Sequence, residues 1–111
     1  MGRVLVVDDE AAVRSFLADT LEADGHEVVA APDGNDAWRL LERQLFDVVV
    51  TDMRMPGPDG LVLLGRLRTE TPETQVVLLT AHGSVESAVQ AMKTGAFDYL
   101  EKPLGSPTQL R

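Results

Sequence analysis

The chain of 111 residues contains no cysteine, which excludes disulfide bonds, thiolate metal ligands and cysteine nucleophiles. It has only one tryptophan, one tyrosine and three phenylalanines, so its core must be built mainly from aliphatic side chains. The longest apolar runs contain four or five residues, far fewer than the roughly 20 that a transmembrane helix needs. No secretory signal peptide precedes the first of these runs. We therefore expect a cytoplasmic chain that does not enter a membrane.

Basic residues are also scarce. The chain has 10 Lys and Arg residues against 18 Asp and Glu residues, which gives a formal net charge of −8. Direct binding to a nucleic-acid backbone requires clustered Lys and Arg side chains, so this composition argues against it. The length suits one domain with one hydrophobic core.

Short apolar runs alternate with amphipathic stretches along the whole chain. The runs are residues 4–7, 28–31, 48–50, 76–79 and 97–100. Three of them consist almost entirely of Val and Leu, which is typical of strands buried on both faces of a parallel sheet. The stretches between the runs carry apolar residues at helical spacing. The pattern predicts five β/α units, and therefore an α/β fold with helices on both faces of a parallel sheet.

The last segment differs from this pattern. Ser106 followed by Pro107 is typical of the first residues of a helix, yet the sequence ends at Arg111. We predict one domain over residues 1–111 with a truncated fifth helix. We interpret the chain as an N-terminal fragment of a longer polypeptide.

Polar residues follow four of the apolar runs. Asp8 and Asp9 follow the first, Asp52 the third and Thr80 the fourth, while Lys102 lies just after the fifth. Open α/β sheets bind ligands at the carboxyl ends of their strands, near the point where the strand order reverses. In the order 2-1-3-4-5 this point lies between strands one and three, so we expect these side chains to converge there.

Three clustered carboxylates repel one another and need positive counter-charges. Lys102 supplies one of these positive charges, and a divalent cation is the natural source of the others. Oxygen ligands without His or Cys suit Mg²⁺ or Mn²⁺. Such a metal, a lysine, a hydroxyl and a spare carboxylate form a site equipped for phosphoryl transfer to that carboxylate. A single Asp after a strand is more often a turn or N-cap residue, but four strand ends with complementary groups favour the functional interpretation.

Four segments carry a family resemblance. They are Val-Leu-Val-Val-Asp-Asp-Glu (4–10), Val-Val-Thr-Asp-Met-Arg-Met-Pro-Gly-Pro-Asp-Gly (49–60), Leu-Leu-Thr-Ala (78–81) and Tyr-Leu-Glu-Lys-Pro (99–103). Together they resemble the receiver domains of two-component response regulators, over essentially the whole chain. The resemblance implies a flavodoxin-like doubly wound sheet and a phosphoprotein that takes phosphate from a sensor histidine kinase. It further implies a switch that catalyses only its own phosphorylation and dephosphorylation.

The resemblance also implies a role for each matching residue. Asp52 would be the phosphoacceptor and, with Asp9, a direct Mg²⁺ ligand. Asp8 would hold a metal-bound water, and the backbone carbonyl of Arg54 would complete the protein's share of the metal shell.

The remaining roles concern the response to phosphorylation. Thr80 would move onto the phosphoryl group, for which Ala81 leaves room, and Lys102 would pair with it. Tyr99 would turn inward after Thr80 moves, changing the surface of the fourth helix and fifth strand. The bond between Lys102 and Pro103 would be cis.

Residues 80–103 more closely resemble receivers of the NtrC type. Those receivers precede an AAA+ ATPase that activates sigma-54 RNA polymerase and a DNA-binding domain. The resemblance implies an output in transcription and a possible receiver homodimer. A stand-alone or differently coupled receiver is the alternative.

Two other functions share parts of this pattern. A haloacid-dehalogenase-like phosphatase also uses an Asp nucleophile, a Lys and Mg²⁺, but it needs a general acid two residues after the nucleophile. That position is Arg54, which cannot give up a proton at neutral pH. A flavodoxin-like FMN carrier needs a neutral phosphate-binding loop after strand one, where this chain has acidic residues.

Overall fold

The computed structural model describes residues 2–81 and 83–102. Its strands are β1 (Arg3–Val7), β2 (Glu27–Ala31), β3 (Val48–Asp52), β4 (Gln75–Thr80) and β5 (Asp98–Glu101). Its helices are α1 (Ala11–Ala23), α2 (Gly34–Arg43), α3 (Gly60–Glu70) and α4 (Val85–Thr94). Strands and helices alternate along the chain. None of the helices in this part of the chain has the length and apolar character needed to cross a membrane.

The five strands form one sheet in the order β2-β1-β3-β4-β5, and every neighbouring pair is parallel. This confirms the predicted fold class and strand order. The point at which the strand order reverses lies between β1 and β3, where the sequence placed it.

The predicted strand limits were wrong by one or two residues at several ends. Phe97 lies outside β5, and its side chain is 63% exposed. Asp52 and Thr80 are the last residues of β3 and β4, because backbone pairing continues two residues beyond the apolar run in β3 and one beyond it in β4. The predicted start of the fifth helix at Ser106 and the peptide bond to Pro103 lie outside the described residues.

Alternate side chains of the central strands pack on opposite faces of the sheet. Leu5 and Val7 of β1 belong to a core shared with α2, α3 and α4. Val4 and Val6 belong to a second cluster that packs against α1. Because both faces are covered, β1 is an unbroken apolar run, as parallel strands usually are.

The start of α3 is held close to the end of β3. Asp59 is the N-cap, and its side chain accepts a hydrogen bond from the backbone N–H of Val62 at 3.0 Å. The N–H of Gly60 donates to the carbonyl oxygen of Met53 at 3.0 Å. A Cβ at Gly60 would lie 2.5 Å from the carbonyl oxygen of Asp52. Only glycine therefore allows this approach, which sets the path of the chain just after Asp52.

Two glycines of α3 give a matched test of this close approach. We expect Gly60→Ala to lower the free energy of unfolding by about 1–3 kcal/mol, because the added methyl overlaps the Asp52 carbonyl. Gly65→Ala should raise it by about 0.5–1 kcal/mol, because a Cβ there meets nothing within 4 Å and alanine favours the helix. Urea unfolding monitored by the single tryptophan measures both. Equal stability of the two variants would contradict the close approach.

Candidate functional site

Backbone hydrogen bonds carry the strand ladders past the strand ends and position the polar residues there. The N–H of Asp8 donates to the carbonyl of Ala31 at 3.2 Å. The N–H of Lys102 donates to the carbonyl of Thr80 at 2.8 Å. Asp8, Asp52, Thr80 and Lys102 therefore lie along one edge of the sheet, as the sequence predicted.

The ammonium of Lys102 is the centre of this site. Its Nζ lies 2.8 Å from Oε1 of Glu10, 2.9 Å from Oδ2 of Asp8 and 3.2 Å from Oδ2 of Asp52. It donates hydrogen bonds to Glu10 and Asp52. The Lys102 side chain is only 9% exposed, so these charges interact with little screening by water. One cation thus links carboxylates from the ends of β1 and β3.

Asp8 is fully buried, with no exposed surface. Its Oδ1 accepts a hydrogen bond from the backbone N–H of Glu10 at 2.9 Å. Its Oδ2 forms the ion pair with Lys102 but receives no well-directed hydrogen bond. A buried carboxylate oxygen that lacks a hydrogen-bond donor can accept one from a further group, such as a metal-bound water.

The charges of the site shift two pKa values. Burial is the largest cause that raises the pKa of Asp52, and the charge of Asp8 raises it further, against the opposing effect of Lys102. Burial lowers the pKa of the Lys102 ammonium. The close contacts with Glu10 and Asp8 and the charge of Asp52 outweigh that effect, so the pKa of Lys102 lies above its ordinary value. Lys102 is therefore charged at neutral pH, and the ionised form of Asp52 carries an energetic cost.

Three consecutive acidic residues follow β1 at the site. Ligand oxygens of Asp8, Asp9 and Glu10 all lie within 4.8 Å of one another, which is close enough to share a metal ion. Asp9 and Glu10 are exposed, whereas Asp8 is buried. Asp52 does not belong to this group of three and is joined to it through Lys102. This arrangement offers only oxygen ligands, which Mg²⁺ prefers.

Arg54 is exposed in the loop after β3. Its backbone N–H lies 3.4 Å from Oδ1 of Asp52, at the long end of the hydrogen-bond range. Ala81, just after β4, is exposed, and its side chain is a single methyl group. Thr51, next to Asp52, is fully buried, and its hydroxyl donates to the Asp52 carbonyl at 3.0 Å.

The two predicted switch residues lie in different surroundings: Thr80 is at the edge of the site, whereas Tyr99 contacts α4. Thr80 is 6% exposed at the end of β4 and lies at the site edge. Tyr99 is half-buried, and its hydroxyl lies 2.7 Å from Oγ of Ser87 in α4. Ser87 also completes the capping box with Ser84 at the start of α4. Tyr99 is therefore tied to the first turn of α4.

The sequence interpretation missed three residues that shape the site. Glu10 was noted only as part of an acidic run, but it is the nearest partner of the Lys102 ammonium. Arg14 donates from Nη1 to the backbone carbonyl of Asp8 at 2.7 Å and so supports the end of β1. Ser87 holds Tyr99. The acidic run beside a strand end was the one available signal for Glu10.

Comparisons with known proteins agree with this geometry. A family model described as the response regulator receiver domain matches residues 4–111. The response regulator protein FleR of Pseudomonas aeruginosa is 48% identical over 102 residues, which are 92% of this chain and 22% of FleR. The DNA-binding transcriptional regulator NtrC of Salmonella typhimurium is 40% identical over 102 residues, again 92% of this chain and 22% of the relative. The chain thus spans less than a quarter of the length of these curated relatives.

A solved structure gives the same result for the fold. The beryllofluoride-activated NtrC4 receiver domain dimer superposes with a TM-score of 0.88 at 38% sequence identity. The match covers 97% of this chain and 89% of that chain. The likeness therefore extends over nearly the whole fold.

The raised pKa of Asp52 leads to a stability prediction. In EDTA at pH 7, Asp52→Asn should raise the melting temperature by a few °C, because it removes a buried charge beside Asp8. A carboxyl whose pKa is raised by folding stabilises the fold below its unfolded pKa and loses that contribution as pH rises through the folded value. The advantage of the variant should therefore shrink as pH falls through the raised pKa of Asp52. Differential scanning calorimetry across this pH range measures it.

The matched control is Asp19→Asn, which removes the same charge from the exposed surface of α1. It should change the melting temperature little, since exposed charges are screened by solvent. A destabilised Asp52→Asn variant in EDTA would contradict the electrostatic account of the site.

Proposed function

This chain belongs to the family of response regulator receiver domains, and on that premise we propose that it accepts a phosphoryl group on Asp52 from a sensor histidine kinase. The supporting observation is the contact of one buried lysine, Lys102, with both Asp8 and Asp52 at the switch point of the sheet. This contact places a fixed positive charge beside the carboxylate that would react.

The reaction requires little from the protein beyond position and charge. A carboxylate oxygen of Asp52 forms the new P–O bond. The P–N bond of the donor phosphohistidine breaks, and its electron pair leaves with the imidazole nitrogen. Lys102 neutralises part of the charge on the phosphoryl oxygens, and the Thr80 hydroxyl donates a hydrogen bond to one of them. The chain is a phosphoacceptor in signalling, and we propose that it catalyses only its own phosphorylation and dephosphorylation.

Receiver domains bind Mg²⁺ through an acidic cluster, and this chain has such a cluster. We propose that Asp9, Asp52 and the backbone carbonyl of Arg54 are the direct ligands, with Asp8 holding a metal-bound water. The well-directed hydrogen bond that Asp8 Oδ2 lacks supports this last assignment. When bound, Mg²⁺ (or Mn²⁺) neutralises charge on the carboxylates and on the transferring group.

The switch follows from the same contacts. If the Thr80 hydroxyl turns toward a phosphoryl oxygen, the loop before α4 moves, and Tyr99 can turn into the vacated space. Tyr99 then loses its contact with Ser87, which is part of the capping box of α4. We propose that the surface of α4 and β5 changes in this way. The phosphoryl group acts only through its different affinity for the two arrangements.

We propose that the output is transcription through a sigma-54-dependent AAA+ activator of the NtrC type. The support is the 40% identity to NtrC, of which this chain spans 22%. In this proposal AAA+ and DNA-binding domains follow the receiver in the parent chain, which resides in the cytoplasm. A net charge of −8 leaves nucleic-acid binding to those domains. A second receiver is a further proposed partner, supported by the dimer of the NtrC4 receiver.

Intact-mass spectrometry tests the phosphoacceptor. Incubation of the chain with Mg²⁺ and acetyl phosphate should add one phosphoryl group, because Asp52 is the carboxylate held against Lys102. Asp52→Ala should show no adduct, whereas Asp19→Ala, an acidic change on the exposed surface of α1, should be modified like the unaltered chain. EDTA should prevent the reaction by removing the metal.

An Asp52→Ala variant that is modified to the same extent would move the phosphoacceptor to another carboxylate, most plausibly that of Asp9. Modification that proceeds undiminished in EDTA would contradict the metal requirement and leave the phosphoacceptor assignment standing.

A further inference from the structure

Three carboxylates lie around the Lys102 ammonium, which donates hydrogen bonds to Glu10 and Asp52 and forms an ion pair with Asp8. An ammonium has three N–H bonds, and three carboxylates lie at 2.8, 2.9 and 3.2 Å from Nζ. A phosphoryl group on Asp52 that binds the same ammonium therefore competes with Asp8 and Glu10 for its N–H groups.

The three partners differ in how easily they can leave. Asp8 is fully buried and is held through Oδ1 by the backbone N–H of Glu10. Asp52 carries the incoming group and stays beside Lys102. Glu10 has a side chain that is 59% exposed. It makes no side-chain capping bond to α1, so it can turn into solvent without leaving a helix N–H unpaired.

We infer that Glu10 is a positioning residue that holds Lys102 before phosphorylation and is displaced from it by the phosphoryl group. This inference rests on the proposed function. Glu10 then opposes phosphorylation, because its ion pair with Lys102 competes with the transferring group for the ammonium. The ion pair therefore stabilises the unphosphorylated arrangement relative to the phosphorylated one.

Glu10→Gln tests this role, with Glu22→Gln as its matched control. Both substitutions remove one negative charge from a glutamate, but Glu22 lies near the other end of α1 and is exposed. At saturating Mg²⁺, Glu10→Gln should be phosphorylated by acetyl phosphate about two- to fivefold faster, the range that a partly exposed ion pair permits. It should also bind beryllofluoride more tightly by a similar factor. Glu22→Gln should match the unaltered chain in both measurements.

Glu10→Asp distinguishes an effect of the contact with Lys102 from an effect of negative charge at position 10 alone. Aspartate keeps the charge but is one methylene shorter, and at the residue before a helix it is drawn to the helix N–H groups. If the contact matters, Glu10→Asp should behave like Glu10→Gln. If Glu10→Asp behaves like the unaltered chain, the effect is one of charge alone and the inference is overturned.

Two further results would also overturn it. An unchanged rate in Glu10→Gln would show that the ion pair does not oppose phosphorylation. A slower rate together with weaker Mg²⁺ binding would make Glu10 a metal ligand instead. Both leave the proposed function intact as long as the unaltered chain gains a phosphoryl group that Asp52→Ala does not. If the unaltered chain gains no phosphoryl group, both the proposed function and this inference are overturned.

Discussion

One buried ammonium holds the carboxyl-terminal edge of this sheet together. Asp8 is fully buried and Asp52 nearly so, and two carboxylates in such surroundings would repel each other and lose their hydration. Lys102 lies within 3.2 Å of both. Removing Lys102 would leave the buried carboxylates without a positive counter-charge, which is strongly destabilising. The positions of β1, β3 and β5 at this edge therefore depend on a shared electrostatic contact as well as on packing.

The fold places that ammonium by means of the backbone. The N–H of Lys102 continues the ladder between β5 and β4 by one residue, through its bond to the Thr80 carbonyl. The same register places Thr80 at the end of β4, between β3, which ends at Asp52, and β5, which Lys102 follows. On the far side of the site, Gly60 lets α3 start against the Asp52 carbonyl. Asp52 is thus held in place by main-chain geometry, which rigid strands supply more accurately than loops.

Much of this arrangement was predictable from the sequence, because it depends on periodic patterns. Unbroken Val and Leu runs predicted a parallel sheet, and polar residues at the run ends predicted which side chains would meet. The helix caps Asp59, Ser84 and Gly95 are of the residue types that such positions favour. The pairing of Glu10 with Lys102 was not predictable, since it depends on side-chain rotamers across 92 positions of sequence. The contact between Tyr99 and Ser87 was missed for the same reason. Strand ends were misjudged because backbone pairing extends beyond the apolar residues, into polar ones such as Asp52.

In the proposed function, phosphorylation redistributes the contacts of Lys102. A crystal structure of the chain with Mg²⁺ and beryllofluoride tests it most directly. We predict the beryllofluoride on Asp52, a fluorine within hydrogen-bond distance of Lys102 Nζ and another near the Thr80 hydroxyl. Glu10 should be turned away from Lys102, and Tyr99 away from Ser87. Beryllofluoride on a different carboxylate, or a Lys102 ammonium that contacts no fluorine and still holds Glu10, would contradict the account.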